Sequence, residues 1–196
     1  MSRHCFNNTR FLVSAATLAQ CPPDVGTEIA FAGRSNVGKS SVINAVTANS
    51  KLARTSKEPG RTRLLNFFQV AENQRLVDLP GYGFARVPEK IRLQWGKEIQ
   101  AYFSRRQSLR GLILIMDIRH PFRDTDTQML EWCANAGLRV HVLLNKADKV
   151  SHSVANTTMR SARKLPGMED VSVQLFSVLK KTGIDELRQT MMGWLG

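Results

Sequence analysis

The chain has 196 residues, of which 42% are hydrophobic and 22% are charged, so it can bury one well-packed domain but is short for two independent ones. No apolar run approaches the roughly 18 residues that a membrane span needs, which excludes an integral membrane protein. Residues 11–19 lead to no recognisable signal-peptide cleavage site, so we expect a cytoplasmic protein. The formal net charge of +12 favours a polyanionic partner, RNA or a ribosomal particle, over a surface that is charged only for solubility.

Apolar runs alternate with helix-like segments along the chain, which is the pattern of a mostly parallel sheet covered by helices. The sequence predicts strands at residues 28–32, 64–70, 75–79, 112–116, 140–144 and 171–176. It predicts helices at residues 40–48, 89–104, 125–136, 154–164 and 184–194. The second and third strands form a hairpin, and the runs at 112–116 and 140–144 are apolar throughout, as in strands buried on both faces.

The helix predicted at 89–104 has one apolar stripe and several basic residues. The stripe repeats at four-residue intervals, which is typical of a buried helix face, and consists of Ile91, Trp95, Ile99 and Phe103. The basic residues fall mostly off the stripe and are Arg92, Lys97, Arg105 and Arg106. They fit a solvated helix face and an RNA-facing surface equally well.

The three cysteines, Cys5, Cys21 and Cys133, are odd in number and widely spaced, which argues against a disulfide framework. We expect Cys133 on the buried face of a helix. His4 beside Cys5 has no second close pair of ligands, so we expect an ordinary terminal segment there and not a zinc site.

The segment GRSNVGKS matches the phosphate-loop pattern G-x-x-x-x-G-K-[ST] between a predicted strand and a predicted helix. Its residues are Gly33, Arg34, Ser35, Asn36, Val37, Gly38, Lys39 and Ser40. The glycines let backbone N–H groups wrap around phosphates, Lys39 can reach the β and γ phosphates, and the Ser40 hydroxyl can bind Mg²⁺. The sequence therefore predicts a nucleotide-binding site at this loop.

The segment DLPG, formed by Asp78, Leu79, Pro80 and Gly81, follows the predicted strand at 75–79. Asp78 can hold Mg²⁺ through water, and Gly81 can present its N–H to the γ phosphate. Many nucleotide-hydrolysing proteins carry a water-orienting glutamine after this glycine, and here Tyr82 stands in its place. We therefore expect slow hydrolysis by the protein alone.

The segment NKAD, formed by Asn145, Lys146, Ala147 and Asp148, follows the predicted strand at 140–144, where α/β folds place their ligand sites. The Asp148 carboxylate can accept both N1–H and the exocyclic amino group of guanine, a donor pair that adenine lacks. Lys146 can lie along the base and ribose. Phe176, at the end of the last predicted strand, and the following Ser177 and Val178 are expected beside the base, and the backbone N–H groups of residues 177–179 can reach guanine O6. GTP and GDP are the ligands that this set predicts.

The segments GRSNVGKS, ARTSKEPGRT, DLPGYGFA, NKAD and SVLKK together resemble the EngB family of P-loop GTPases. The resemblance implies a GTPase domain over residues 27–196, with an N-terminal extension at 1–26 packed on it. It implies a six-stranded, mostly parallel sheet with one antiparallel strand, flanked by about five helices. It also implies a monomer that binds GTP and GDP with Mg²⁺, interacts with the large ribosomal subunit or its RNA, and serves ribosome assembly and normal septation.

The same resemblance assigns the first switch to residues 52–62. It implies Thr62 as a second Mg²⁺ ligand when a γ phosphate is bound, whereas the residues alone leave Thr55 as a competitor. The nucleotide contacts expected here are Gly60, Arg61, Thr62, Arg63 and Leu64. The residues expected to contribute to catalysis are Lys39, Thr62 and Gly81.

Asn36 occupies a position where several GTPases without the glutamine, which this chain resembles, use asparagine to hold K⁺ against the phosphates. A bond from Asn36 to local backbone is the alternative. At the level of function, a ribosome-assembly switch and a protein-binding septation regulator both stay open. The NKAD segment disfavours a metabolic P-loop enzyme acting on a small substrate.

Overall fold

The structure is a computed structural model that describes residues 5–53, 64–82, 89–165, 167–168 and 171–196, with backbone alone at 89–95. Its described strands are β1 (Arg10–Ala15), β2 (Thr27–Gly33), β3 (Leu65–Ala71), β4 (Gln74–Asp78), β5 (Leu109–Asp117), β6 (Arg139–Asn145) and β7 (Ser172–Leu175). They form one sheet in the order β1-β3-β4-β2-β5-β6-β7. β3 runs antiparallel to both of its neighbours, and the other neighbouring pairs are parallel.

The part of the chain that the structure describes contains five α-helices. They are α1 (Lys39–Val46), α2 (Glu89–Arg105), α3 (Asp124–Asn135), α4 (His152–Ala162) and α5 (Ile184–Leu195). Every predicted strand and helix is present, with ends that differ by a few residues. The predicted mostly parallel α/β sheet with one antiparallel strand and flanking helices is confirmed.

The sheet separates two apolar layers, because successive side chains of a strand point to opposite faces. On β2, Ile29 and Phe31 pack with α1 and α5, whereas Ala30 and Ala32 pack with α2, α3 and α4. Both faces of the central strands are therefore buried, which explains why their sequences are apolar without alternation. Among the described residues, no helix combines the length and the apolar character that crossing a membrane requires.

The predicted number of six strands was wrong, because the N-terminal strand β1 adds a seventh at the edge of the sheet. β1 pairs antiparallel with β3, from Arg10 opposite Gln69 to Ala15 opposite Leu65. Only Ala15 of this strand is fully buried, whereas Phe11 is 54% exposed. An edge strand with so little buried surface has no clear alternation of apolar and polar residues, so its sequence gave no strand signal.

The apolar stripe predicted for α2 is confirmed at Ile99 and Phe103, which are both buried. The side chains of Ile91, Trp95 and Arg92 lie outside the described part of the chain. In α3, Cys133 is completely buried, as predicted.

Arg106 is neither a solvated nor an RNA-facing residue, although it neighbours the exposed Arg105. Its side chain is 6% exposed and donates from Nη2 to Glu28 Oε1 at 2.7 Å and to the Pro22 carbonyl at 2.7 Å. The completely buried Glu28 also accepts hydrogen bonds from Arg75 at 2.8 Å and from the Tyr102 hydroxyl at 3.0 Å. Arg106 therefore belongs to a buried charge cluster that joins the end of α2 to the start of β2.

Candidate nucleotide-binding site

The loop at residues 33–40 leads from the end of β2 into α1, and the path of its backbone depends on two glycines. A Cβ at Gly33 would lie 2.7 Å from the Ile115 carbonyl oxygen, and one at Gly38 would lie 2.6 Å from Asn145 Nδ2. Gly38 also has a φ of 99°, a left-handed conformation that glycine adopts readily. The loop therefore opens onto the first turn of α1, whose free N–H groups and dipole attract anions.

Lys39 and Asp78 join this loop to the end of β4. Their side chains form an ion pair and are only 10% and 7% exposed. Burial raises the pKa of Asp78 above its ordinary value, and the Lys39 ammonium opposes that rise. The pair places one positive and one negative group beside the phosphate loop, where a phosphate and a hydrated cation need such groups.

The DLPG segment packs directly against the phosphate loop. The Leu79 N–H donates to the Phe31 carbonyl at 3.0 Å, and the Ser35 N–H donates to the Tyr82 carbonyl at 3.0 Å. A Cβ at Gly81 would meet the Ser35 Cα at 3.4 Å, an ordinary van der Waals contact, so the backbones of the two segments lie side by side. Pro80 is buried between these contacts. The structure thus brings Gly81 next to the predicted phosphate site.

The Tyr82 side chain points to the opposite side of the sheet from α1. It is 6% exposed, packs in the layer of α2, α3 and α4, and donates its hydroxyl to Asp126 Oδ1 at 2.8 Å. Asp126 also accepts the Arg123 N–H at 3.1 Å in the capping box that starts α3. Sequence reasoning missed Asp126, although an aspartate in the first turn of a helix is a capping signal.

The NKAD segment is fastened to the phosphate loop by two side chains. Asn145 Nδ2 donates to the Val37 carbonyl at 2.7 Å, and Lys146 Nζ donates to the Asn36 carbonyl at 2.8 Å. The Ala147 N–H donates to the Phe176 carbonyl at 3.0 Å, which connects the segment to the loop after β7. Three predicted parts of the site, from separate regions of the sequence, therefore meet at the carboxyl ends of the strands.

Asp148 is held in place by Ser177 from the loop after β7. The Ser177 hydroxyl donates to Asp148 Oδ1 at 2.5 Å, and Lys149 lies 3.7 Å from the other carboxylate oxygen. The Ser177 hydrogen bond is the largest influence that lowers the pKa of Asp148 below its ordinary value. An oriented and ionised carboxylate results, which can accept two parallel N–H donors.

The residues predicted for magnesium are placed in part. Ser40 is in the first turn of α1 and Asp78 ends β4, whereas Thr62, the third residue predicted for Mg²⁺, lies outside the described residues. Of the predicted nucleotide contacts beside it, Gly60, Arg61 and Arg63 also lie outside the described residues, and Leu64 precedes β3 and is 37% exposed. The hydroxyl and carboxylate oxygens suit Mg²⁺, which usually takes few protein ligands and completes its shell with water and substrate phosphates. Among the described residues, no three or more His, Cys, Asp or Glu side chains are grouped so that they could hold a metal ion by themselves.

A family model described as "50S ribosome-binding GTPase" matches residues 28–146. A "Probable GTP-binding protein EngB" from Glaesserella parasuis serovar 5 is 50% identical over 191 residues, covering 96% of this chain and 91% of that protein. Another from Enterobacter sp. (strain 638) is 48% identical over 196 residues, covering 99% of this chain and 94% of that protein.

Solved structures of GTP-binding proteins share the fold. The crystal structure of a probable GTP-binding protein engB aligns with a TM-score of 0.70 at 22% identity, covering 86% of this chain and 98% of that one. The crystal structure of a variant of Aquifex aeolicus Era bound to GDP·AlF4⁻ aligns with a TM-score of 0.69 at 20% identity, covering 86% of this chain and 56% of that one. At these identities the likeness concerns the fold alone.

Proposed function

The chain belongs to the EngB family of GTP-binding proteins and is a GTPase, and from this premise we propose that it is a GTP-dependent switch in assembly of the large ribosomal subunit. The observation that carries the nucleotide part is the fastening of the NKAD segment to the phosphate loop by Asn145 and Lys146. The ribosomal part is supported by the family model, whose description refers to the 50S particle, and by the net charge of +12.

We assign the phosphates to the loop at residues 33–40, where backbone N–H groups and Lys39 can contact them. Ser40, Thr62 and, through water, Asp78 would hold Mg²⁺, which when bound neutralises charge developing between the β and γ phosphates. At the other end, Asp148 would accept the guanine donors while backbone N–H groups of Ser177 and Val178 reach O6. The hydrogen bond that orients the Asp148 carboxylate against Ser177 supports guanine over adenine.

We expect slow intrinsic hydrolysis. The Tyr82 hydroxyl donates to Asp126 on the far side of the sheet, and burial raises the Tyr82 pKa well above its ordinary value. The phenol therefore stays protonated and is unsuited to activate water. Lys39, Thr62 and the Gly81 N–H would stabilise charge, while orientation of the water would come from a cation, K⁺ at Asn36, or from the ribosomal partner.

In this proposal GTP holds residues 60–63 and 81–85 in one conformation that binds the immature particle, and hydrolysis releases it. Such a protein acts as a monomer in the cytoplasm, where ribosomes assemble, and normal septation depends on it indirectly. A direct role in septation through protein partners, without RNA contact, is the competing function.

The test is co-sedimentation with purified large ribosomal subunits in three nucleotide states: a non-hydrolysable GTP analogue, GDP and no nucleotide. We expect association with the analogue, weak association with GDP, and loss of the difference in Lys39→Ala, which removes a phosphate contact. Small subunits serve as the matched control for charge, because they too are polyanionic. Equal sedimentation in all states, or no preference for large subunits, would contradict the proposal.

A further inference from the structure

Asp117 lies at the end of β5, directly opposite Asn145 in the register of β5 and β6. Asp117 is not one of the predicted site residues. Its carboxylate accepts four hydrogen bonds. Arg119 donates three of them, from its backbone N–H at 3.1 Å, Nε at 2.9 Å and Nη2 at 2.7 Å. Lys146 donates the fourth from Nζ at 2.9 Å.

The Lys146 ammonium is therefore held from two sides. One side is Asp117, and the other is the Asn36 carbonyl at 2.8 Å. Lys146 and Asn36 have φ values of 62° and 64°, a left-handed conformation that residues with a side chain seldom adopt without surrounding contacts. The shared ammonium thus connects two unusual backbone conformations, one in the base-binding segment and one in the phosphate loop.

The two cationic side chains that bind Asp117, those of Arg119 and Lys146, differ in their exposure and in their other contacts. The Arg119 side chain is 46% exposed and lies on the solvent side, where water can replace a lost partner. The Lys146 side chain is 28% exposed and continues to the phosphate loop. Loss of the Asp117 charge would leave the Lys146 ammonium with a single neutral acceptor, so the side chain would no longer be fixed in one position.

We infer that Asp117 is a positioning residue for guanine nucleotide, which acts by holding the Lys146 ammonium against the Asn36 carbonyl and so fixes the spacing between base-binding segment and phosphate loop. The inference rests on the proposed nucleotide site. Neither contact involves the position of a γ phosphate, so Asp117 raises the affinity for GTP and for GDP alike. Its role differs from that of Asp148, which reads the base.

A double-mutant cycle tests the inference: the dissociation constants of GDP and a GTP analogue are measured for the parent, Asp117→Asn, Lys146→Ala and the double variant. We expect Asp117→Asn to weaken both nucleotides by about tenfold, as for a hydrogen bond to a charged group. In the Lys146→Ala background the same change should alter affinity by less than about twofold. A loss of equal size in both backgrounds would overturn the inference, because Asp117 would then act without Lys146.

Arg119→Ala is the matched control, since it removes the other partner of the same carboxylate and should leave both affinities within about twofold of the parent. A loss as large as that of Asp117→Asn would overturn the inference in favour of Arg119. Asp117→Glu keeps the charge and should bind more tightly than Asp117→Asn; equal losses would overturn it as well. Thermal unfolding checks each variant, and Asp117→Ser replaces Asp117→Asn in the cycle if the latter does not fold.

Failure of the proposed function is recognised separately, on the parent protein. A parent that binds ATP as tightly as GTP would contradict the guanine site and with it the inference. A parent selective for guanine with an additive cycle would contradict the inference alone.

Discussion

The hydroxyl of Tyr82 donates a hydrogen bond of 2.8 Å to the carboxylate of Asp126, and so ties the residue after DLPG to the first turn of α3. Both side chains are buried, at 6% and 1% exposure. The backbone of Tyr82 meanwhile bonds to Gly33 and Ser35 of the phosphate loop. Tyr82 is thus held by both its side chain and its backbone.

Tyr82→Phe should reduce the free energy of unfolding by about 1–3 kcal/mol, because the buried Asp126 carboxylate loses a donor. GTP turnover should change little, because the hydroxyl faces away from the phosphate loop. Chemical denaturation and single-turnover hydrolysis measure the two effects, with Tyr102→Phe as a control that loses a different buried hydroxyl. A large fall in turnover at unchanged stability would instead place the Tyr82 hydroxyl in catalysis.

Asp148→Asn should weaken GTP by at least about 100-fold and favour xanthosine triphosphate, whose C2 carbonyl suits an amide donor. Ser177→Ala is the graded comparison: it removes the hydrogen bond that orients the carboxylate but leaves its charge, so a smaller loss is expected. Fluorescent-nucleotide titration gives both affinities. Unchanged GTP affinity in Asp148→Asn would remove Asp148 from the base site.

Ser40→Ala should weaken the Mg²⁺-dependent binding of GTP and GDP together, whereas Thr62→Ala should weaken only a GTP analogue. The difference follows from the proposed roles, since only the triphosphate brings the first switch onto the metal. Titrations with and without Mg²⁺ measure it, and Thr55→Ala is the matched control. If Thr62→Ala and the parent bind the analogue alike, the Thr62 assignment is wrong.

Arg105→Ala and Arg106→Ala should affect different properties although the residues are adjacent: the salt dependence of subunit binding for Arg105 and the stability of the fold for Arg106. Arg105 is exposed, so its loss should lower the slope of log affinity against log salt for large subunits by at most about 1. Arg106 is buried against Glu28, so its loss should cost about 1.5–3 kcal/mol of stability. Salt titrations and unfolding curves of both variants measure this, and a flat salt response of the parent would favour the protein-binding septation role.

Potassium should raise GTP turnover over sodium at matched ionic strength by about tenfold or more, and the difference should vanish in Asn36→Ala. Asn36 is exposed at the phosphate loop, and Lys146 binds its backbone carbonyl and not its side chain. The side-chain carboxamide can therefore face a cation. Equal rates in both salts would leave the ribosomal partner to complete the site.

Local patterns predicted most of the fold and the meeting of the motifs. The apolar runs at 112–116 and 140–144 are typical of buried strands, and each motif follows a strand whose carboxyl end lies at the same edge of the sheet. Pairings between distant residues were not predictable: Arg106 and Glu28 are 78 positions apart, and Tyr82 and Asp126 are 44 apart. No local pattern distinguishes a buried arginine from an exposed one, and the contacts of Thr62 with nucleotide and metal stay a prediction.

Strand β1, in the N-terminal segment, shields the edge of β3 from other molecules. It covers β3, which would otherwise end the sheet with a row of unpaired N–H and C=O groups next to apolar Phe67 and Phe68. The β1 edge that replaces it is irregular, with a register shift between Phe11 and Val13, and irregular edges pair between molecules less readily than regular ones. Shortening the chain to the region that carries the nucleotide motifs would therefore yield a protein that self-associates, so expression of a trimmed GTPase unit should begin before Arg10.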